Sequence, residues 1–203
     1  MTVAIIDYGA GNLLSLSRAL AAVDVPAGLI TTPGELATDD VIVLPGVGAA
    51  GAAMAALSER GFAARLRATS QPILGICLGM QLLCDWLDEG DCAGLGRVPG
   101  KVKRILATPD RKVPQMGWNR ITWGAECKLA DDGFAGYFVH SYSCEMPLPN
   151  AHVGWTDYGG MPLCAAVHVP GIVGVQFHPE KSGPAGLALL RRAVQWLSEE
   201  GRG

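Results

Sequence analysis

The stretch Pro72-Ile73-Leu74-Gly75-Ile76-Cys77-Leu78-Gly79-Met80-Gln81 decides how the rest of the sequence is interpreted. An apolar run typical of a buried strand ends at Cys77, and a helical pattern begins at once. Glycines stand two residues before and two residues after the cysteine, which is the pattern of a nucleophile elbow with cysteine in place of serine. Such a turn exposes the thiol at the carboxyl edge of a sheet, next to a helix N-terminus that favours the thiolate. The pattern therefore predicts a catalytic Cys77, and the alternative is a structural cysteine between two packing glycines.

The first half of the chain alternates between short apolar strands and helices. Strands are predicted at 3–7, 27–31, 41–44 and 72–76, and helices at 13–23, 52–57, 62–68 and 78–87. Apolar strands that alternate with helices indicate a parallel sheet. From about residue 95, short segments separated by Gly and Pro predict antiparallel or mixed strands, before a last helix at 185–198. We expect a single α/β domain over 1–203, with a mostly parallel central sheet, helices on both faces and an antiparallel or mixed extension in the second half.

Composition and charge exclude several classes of function. The hydrophobic fraction is 49% and the net charge is −3, so a core can form and there is no basic footprint for nucleic acid or an anionic membrane. No apolar run reaches the ~18 residues of a spanning helix, and the first residues lack the basic segment of an export signal. The six cysteines include no C-x-x-C pair, so neither a zinc site nor a disulfide framework is expected. We expect a cytoplasmic protein without a metal.

A base for the thiol is predicted in Val175-Gln176-Phe177-His178-Pro179-Glu180. His178 follows an apolar strand, and Pro179 keeps it out of the helical region of backbone conformation. On an extended segment, residues two apart point the same way, so Glu180 can orient the His178 ring and stabilise its charged form. Cys77, His178 and Glu180 are therefore predicted to form a catalytic triad.

A third motif, Leu44-Pro45-Gly46-Val47-Gly48, also follows a predicted strand. Small residues there leave backbone N–H groups free to face the neighbouring strand end. The N–H groups of Gly46, Val47 and Gly48, together with that of Leu78, are predicted to form an oxyanion hole. Taken alone, such a loop is more often an ordinary turn.

These three motifs, in this order and spacing, resemble the class I (triad) glutamine amidotransferases over nearly the whole chain. The resemblance implies a flavodoxin-like fold and a glutaminase that works without metal or organic cofactor. In that reaction Cys77 attacks the side-chain amide of glutamine, His178 protonates the departing ammonia, and water hydrolyses the γ-glutamyl thioester. The resemblance also implies a glutamine pocket lined by Gly48, Gln81, Glu89, Ser141 and Tyr142. Glu89 would bind the α-ammonium group, and the alternative for this residue is a solvated acidic loop.

Four further stretches resemble one branch of the family, the glutaminase subunits of imidazole glycerol phosphate synthase. They are Asp7–Asn12, Gln115–Asn119, Tyr137–Tyr142 and Lys181–Gly183. Gln115 departs from that pattern, in which histidine is common. The resemblance implies a heterodimer with a (β/α)8 synthase that receives ammonia through a channel and makes imidazole glycerol phosphate and an aminoimidazole carboxamide ribotide in histidine biosynthesis. It implies a channel mouth near Asn12, Trp118, Tyr137 and Lys181, although core packing is the alternative for the two aromatic residues.

Two other hypotheses remain at this stage. One is the glutaminase subunit of another amidotransferase, such as anthranilate or aminodeoxychorismate synthase, which shares the triad but not the stretches 7–12 and 181–182. The other is a catalytically silent α/β binding module that keeps the elbow for packing. The intact triad argues against the second, and a glutaminase assay with and without the partner separates all three.

Overall fold

The structure is a computed structural model that describes residues 2–37, 41–125, 127–130, 133–146 and 152–201. In its first half, strands and helices alternate, as the apolar pattern predicts. The helices are α1 (Leu13–Ala21), α2 (Ala50–Glu59), α3 (Phe62–Ala68), α4 (Leu78–Leu82) and α5 (Gly183–Glu200). The strands are β1 (Val3–Ile6), β2 (Ala27–Ile30), β3 (Val41–Leu44), β4 (Ile73–Ile76), β5 (Cys84–Leu87), β6 (Cys92–Ala93), β7 (Val98–Arg104), β8 (Gln115–Arg120), β9 (Thr122–Trp123), β10 (Ala135–His140), β11 (Tyr142–Glu145), β12 (His152–Tyr158), β13 (Met161–Val169) and β14 (Ile172–Val175).

The central sheet has eight strands in the order β2-β1-β3-β4-β14-β13-β12-β9. The first five strands are parallel to one another. The last three continue the sheet in antiparallel pairings. The predicted α/β fold, with a mostly parallel central sheet and an antiparallel extension, is therefore confirmed.

Helices cover both faces of the parallel part, which explains why its inner strands are apolar at every position. Every residue of β1, β3, β4 and β14 is buried. Alternate side chains enter two core clusters. One cluster contains Ile42 with α2 and α3, and the other contains Val43 with α1 and α5. This packing fixes the carboxyl ends of β3, β4 and β14 side by side.

Two smaller sheets, formed by strands that follow α4 in the chain, lie next to the edge of the central sheet where β3, β4 and β14 end. One pairs β8 with β10 in antiparallel fashion, and the other has the order β11-β7-β5-β6. The backbone N–H of His178 donates to the Tyr137 carbonyl at 2.9 Å, which attaches β10 to the end of β14.

The helix predicted at 78–87 is wrong in its second half, because α4 ends at Leu82 and β5 follows. The carbonyls that a continuing helix would use are taken by the returning chain. Leu95 N–H donates to the Leu82 carbonyl at 2.8 Å, and Val98 N–H donates to the Leu83 carbonyl at 2.9 Å. Gly94 permits this approach, since a Cβ there would lie 2.1 Å from the Cys84 carbonyl oxygen. A contact between distant residues, not local propensity, ends the helix.

Within the described ranges, no helix is both long and apolar enough to cross a membrane. The same residues contain no group of three or more His, Cys, Asp and Glu side chains arranged to hold a metal ion.

Candidate active site

Cys77 lies in the turn between β4 and α4, in a backbone conformation that side-chain-bearing residues rarely adopt. Its φ is 53° and its ψ is −111°. The flanking glycines make this turn sterically feasible. A Cβ at Gly79 would lie 1.8 Å from the Leu44 carbonyl oxygen, and one at Gly75 would lie 2.8 Å from the backbone of Met80. The strand–turn–helix arrangement is that of a nucleophile elbow.

His178 and Glu180 lie beside this turn and are hydrogen-bonded to each other. The His178 Nδ1 atom lies 2.9 Å from Glu180 Oε1, and both side chains are 4% exposed. His178 has an extended backbone conformation, as expected before a proline. The residues after it differ from the expectation, because 179–181 form a 3-10 turn and not an extended segment. The turn nevertheless brings the carboxylate to the ring.

The second nitrogen of the His178 ring lies on the side of the thiol. Its Nε2 atom is buried and makes no aligned hydrogen bond within the described part of the chain. Burial of the ring lowers the pKa of His178, but the adjacent Cys77 and Glu180 side chains outweigh burial and raise that pKa to about 9. The pair is therefore suited to an imidazolium next to a thiolate.

The loop at residues 45–48 packs directly against the elbow. A Cβ at Gly46 would meet Leu78 Cβ at 2.8 Å and the Gly79 nitrogen at 2.9 Å. The Tyr8 hydroxyl donates to the Pro45 carbonyl at 3.0 Å and anchors the loop from below. Burial, and then the charge of Cys77, raise the pKa of Tyr8, so this hydroxyl stays a donor.

A cavity of about 330 Å³ opens in front of Cys77. All five residues predicted for glutamine binding line it, and they are Gly48, Gln81, Glu89, Ser141 and Tyr142. Three of the four predicted oxyanion residues also line it, namely Val47, Gly48 and Leu78. The fourth, Gly46, is buried behind them and lines a smaller recess. The Leu78 N–H begins α4 and so has no acceptor within that helix.

Two of the pocket residues carry structural bonds that the sequence did not suggest. The Glu89 carboxylate accepts a hydrogen bond from Ala50 N–H at 2.8 Å, so it caps α2 and does not belong to a free acidic loop. Gln81 Nε2 donates both to the Tyr142 carbonyl, at 3.0 Å, and to Gln176 Oε1, at 2.9 Å. Only its carbonyl oxygen is left to face a ligand in the cavity.

Two residues at the site were not singled out from the sequence. His140 lines the cavity, and its ring lies 2.7 Å from the Tyr142 carbonyl and 2.8 Å from the Gln115 side chain. Gln176 is fully buried, and its Nε2 lies 3.8 Å from Cys77 Sγ. Both stand within motifs already described, and Gln176 precedes His178 by the two residues that place side chains on the same side of a strand.

The residues predicted at the channel mouth form two groups. Trp118 and Tyr137 pair across β8 and β10 with ring centroids 5.8 Å apart, and Lys181 Nζ lies 5.8 Å from the Tyr137 ring. Trp118 is 56% exposed, so simple core packing does not describe it. Asn12 caps α1 through Ser15 N–H and borders the smaller recess, which His178 and Glu180 also line.

Comparison with known families shows the class of this protein. The model of the class I glutamine amidotransferase family matches residues 4–196. A glutamine amidotransferase crystal structure superposes with a TM-score of 0.74 at 16% identity, covering 97% of this chain and 99% of the other. A second, from Thermotoga maritima, gives a TM-score of 0.64 at 15% identity, covering 98% and 99%. The chain belongs to the class I glutamine amidotransferase family.

Curated relatives narrow the class further. The imidazole glycerol phosphate synthase subunit HisH of Desulfitobacterium hafniense (strain DSM 10664 / DCB-2) is 43% identical over 98% of this chain and 96% of its own length. The HisH subunits of Streptococcus sanguinis, at 42% over 96% of both chains, and of Chlorobaculum tepidum, at 40% over 95% and 98%, are similar over the same extent. Within the family, the chain therefore groups with the HisH subunits.

Proposed function

We propose that this protein is the glutaminase subunit of an imidazole glycerol phosphate synthase, hydrolysing glutamine to glutamate and ammonia through Cys77, His178 and Glu180. The observation that carries the proposal is the buried His178–Glu180 pair, at 2.9 Å, beside a cysteine on a strand–turn–helix elbow. The similarity of 40% and more to HisH subunits over nearly the full length supports the choice of synthase.

The first half of the reaction forms a thioester. The Cys77 thiolate attacks the amide carbon of glutamine, and the negative charge moves onto the amide oxygen. Backbone N–H groups of Leu78 and of the loop at 46–48 stabilise that oxygen, as in other oxyanion holes. The C–N bond breaks as the His178 imidazolium gives its Nε2 proton to the leaving nitrogen. Ammonia departs, and a γ-glutamyl thioester remains on Cys77.

The second half restores the enzyme with water. The neutral His178 ring takes a proton from a water molecule, whose oxygen attacks the thioester carbon. The C–S bond breaks, glutamate leaves, and the thiolate and imidazolium are regenerated. Throughout both halves, Glu180 keeps the ring in one orientation and stabilises its charge.

The cavity supports glutamine as the substrate. A glutamine carries an ammonium and a carboxylate at one end and a neutral amide at the other. Glu89 offers a carboxylate at the cavity wall for the ammonium, and Gln81 offers a carbonyl oxygen. Gly48, Ser141 and Tyr142 contribute polar main-chain or side-chain groups to the same wall.

Ammonia must leave towards a partner, because in neutral water it is mostly protonated and no longer nucleophilic. The recess lined by Asn12, His178 and Glu180 has about 10 Å³ of free volume, comparable to the space needed by one water-sized molecule. We propose that ammonia passes this way to a (β/α)8 cyclase subunit, which binds over Asn12, Trp118, Tyr137 and Lys181. There it is used to make imidazole glycerol phosphate and the aminoimidazole carboxamide ribotide.

The test measures glutamate release by the purified chain, alone and with the cyclase subunit and its nucleotide substrate. Cys77→Ala should abolish release while the circular dichroism spectrum and complex formation stay unchanged, because no other strong nucleophile lies in the elbow. The matched control is Cys92→Ala, a half-buried thiol on β6. A diazoketone analogue of glutamine should label Cys77 alone in mass spectrometry. Labelling of another cysteine in place of Cys77 would refute the assignment.

A further inference from the structure

A fully buried carboxamide lies behind the nucleophile. Gln176 directly follows β14, and its Nε2 atom lies 3.8 Å from Cys77 Sγ. Its Oε1 atom accepts a hydrogen bond from Gln81 Nε2 at 2.9 Å. Gln176 is 0% exposed and is not among the residues that line the glutamine cavity. Its polar group therefore faces the sulfur without facing the substrate.

The Tyr142 carbonyl determines which atoms donate and which accept in these hydrogen bonds. A main-chain carbonyl can only accept, so the part of Gln81 that faces the Tyr142 carbonyl at 3.0 Å must be its NH₂ group. The second N–H of that group points to Gln176, which must then present its oxygen there. The NH₂ group of Gln176 is consequently turned towards Cys77, where a thiolate is purely an acceptor.

The Tyr142 carbonyl has a second hydrogen-bonding partner, the ring of His140. His140 Nδ1 lies 2.7 Å from it. Burial of the ring lowers the pKa of His140 to about 4. The hydrogen bond to the Tyr142 carbonyl acts against this shift, and the charge of His178 adds to it. A ring that is neutral at pH 7 has one N–H, which Nδ1 uses on the carbonyl. The other ring nitrogen, Nε2, lies 2.8 Å from Gln115 Oε1, and Gln115 Nε2 donates to Asn119 Oδ1 at 2.9 Å.

We propose that Gln176 is a positioning residue for the nucleophile, donating an N–H to Cys77 Sγ in an orientation set through Gln81 by the Tyr142 carbonyl. The proposal rests on the proposed function, since it assigns Gln176 a part in preparing the thiolate for attack on glutamine. The donor stabilises the thiolate and keeps the sulfur directed at the cavity. A fixed donor needs no reorganisation when the charge forms, which is how preorganised sites lower barriers.

The first measurement is the rate at which iodoacetamide alkylates Cys77 in the full-length chain, followed by mass spectrometry at pH 7 and 8. Gln176→Met keeps the length of the side chain and removes the donor, and it should slow alkylation about three- to ten-fold, the range expected for the loss of one ordinary hydrogen bond. Gln176→Glu should be slower still at pH 8, because a carboxylate beside the sulfur opposes the thiolate.

The matched control is Val173→Ala, a fully buried residue of β14 whose side chain enters the core cluster of α1 and α5. It should lower the melting temperature without changing the alkylation rate. A merely structural Gln176 would behave in the same way, so alkylation of Gln176→Met and Gln176→Glu within two-fold of the wild-type rate overturns the proposal. If one variant fails to fold, the other decides, since each is expected to alkylate more slowly than the wild type.

The second measurement separates this proposal from the proposed function. In the complex with the cyclase subunit, Gln176→Met should lower kcat for glutamate release by a similar factor, while KM for glutamine changes less than about two-fold because Gln176 does not touch the cavity. A raised KM with unchanged kcat would contradict the positioning role. Should the wild-type complex release no glutamate, the proposed function fails, whereas the alkylation order still tests Gln176.

Discussion

Burial and neighbouring charges shift the pKa of His178 in opposite directions, and the effect of the charges is the larger. Removal of the ring from water disfavours its charged form, yet Cys77 and Glu180 raise the pKa of His178 to about 9. The pKa of His178 therefore depends on the adjacent Cys77 side chain as well as on the burial of the ring. At neutral pH the His178 ring therefore carries a proton.

The pH behaviour of His178 follows from this coupling. We expect its ring, followed by NMR, to titrate near pH 9 in the wild type and at lower pH in Cys77→Ala, because the charged partner is gone. The ordinary pKa of histidine is about 6.5, so the folded value is raised. This group's contribution to the free energy of unfolding is thus complete below about pH 6.5 and is lost as the pH rises towards 9. An unchanged midpoint in Cys77→Ala would show that the thiol does not act on the ring.

Glu180 and His178 should differ in how much activity they control. His178→Ala removes the group that transfers the proton and should lower kcat by about 10²–10⁴-fold. Glu180→Gln keeps the base and removes only its orienting charge, so its loss should be smaller than that of His178→Ala. The measurement is glutamate release by each variant in the complex. Equal losses would contradict the expected difference between base and orienting residue, and almost no loss for Glu180→Gln would indicate a Cys–His dyad.

At the scale of the elements, the elbow depends on contact between the end of β3 and the start of α4. The Leu44 carbonyl occupies the space that a side chain at position 79 would need, at 1.8 Å. Gly79→Ala should therefore destabilise the fold by about 2–4 kcal/mol, as overpacking against immobile backbone does. Urea unfolding measures this change in the free energy of unfolding. Gly28→Ala is the matched control, because β2 leaves open space there, and its effect should be within about 0.5 kcal/mol.

The loop at 45–48 is expected to act as a switch. Gly48 has a φ of +96°, and no atom of the described residues lies within 4 Å of a Cβ built there, so its conformation and not its packing demands glycine. We expect low glutaminase activity for the isolated chain and strong stimulation when the cyclase subunit binds its ligand, because binding shifts the balance between two loop conformations.

Gly48→Ala tests the switch directly. Alanine penalises the left-handed conformation by about 1–2 kcal/mol and so disfavours the loop state found in the free chain. Basal glutamate release should rise, and the stimulation by partner and ligand should fall. Full activity of the isolated wild-type chain, unchanged by partner and ligand, would exclude the switch.

At the scale of the whole molecule, Lys181 is expected to serve the partner contact and not the chemistry. It directly follows Glu180, is exposed, and lies over the Tyr137 ring at 5.8 Å. An ammonium at this rim can pair with a carboxylate of the cyclase subunit. Such a pair is worth about 0.2–1 kcal/mol if it stays wet, and loss of one partner of a desolvated pair costs about 2–5 kcal/mol.

Lys181→Ala should therefore weaken the complex or uncouple it, so that glutamine is consumed without matching product. The measurement compares glutamate with imidazole glycerol phosphate formed by the mutant complex. Lys101→Ala, an exposed lysine on β7, is the matched control. Unchanged affinity together with a one-to-one ratio would identify Lys181 as an ordinary surface residue.

The parts of the structure that follow from the sequence are those governed by nearby residues. The elbow at Cys77, the extended conformation of His178 before Pro179 and the apolar strands β1, β3 and β4 all depend on sterics or burial patterns within a few positions. These rules hold wherever the segment lies in the fold. They also predict that the first half forms a parallel sheet, since apolar strands that alternate with helices indicate one.

Only the tertiary structure decided the end of α4, the cap that Glu89 places on α2, and the chain of hydrogen bonds behind Cys77. The bond from Gln81 to the Tyr142 carbonyl spans 61 residues, the one from Gln81 to Gln176 spans 95, and the one from Gln176 to Cys77 spans 99. The presence of a glutamine in the sequence does not show whether its side-chain amide faces water or a buried carbonyl. Its partner is chosen when the strands pack, because a buried polar group must then be satisfied by whatever lies within about 3 Å.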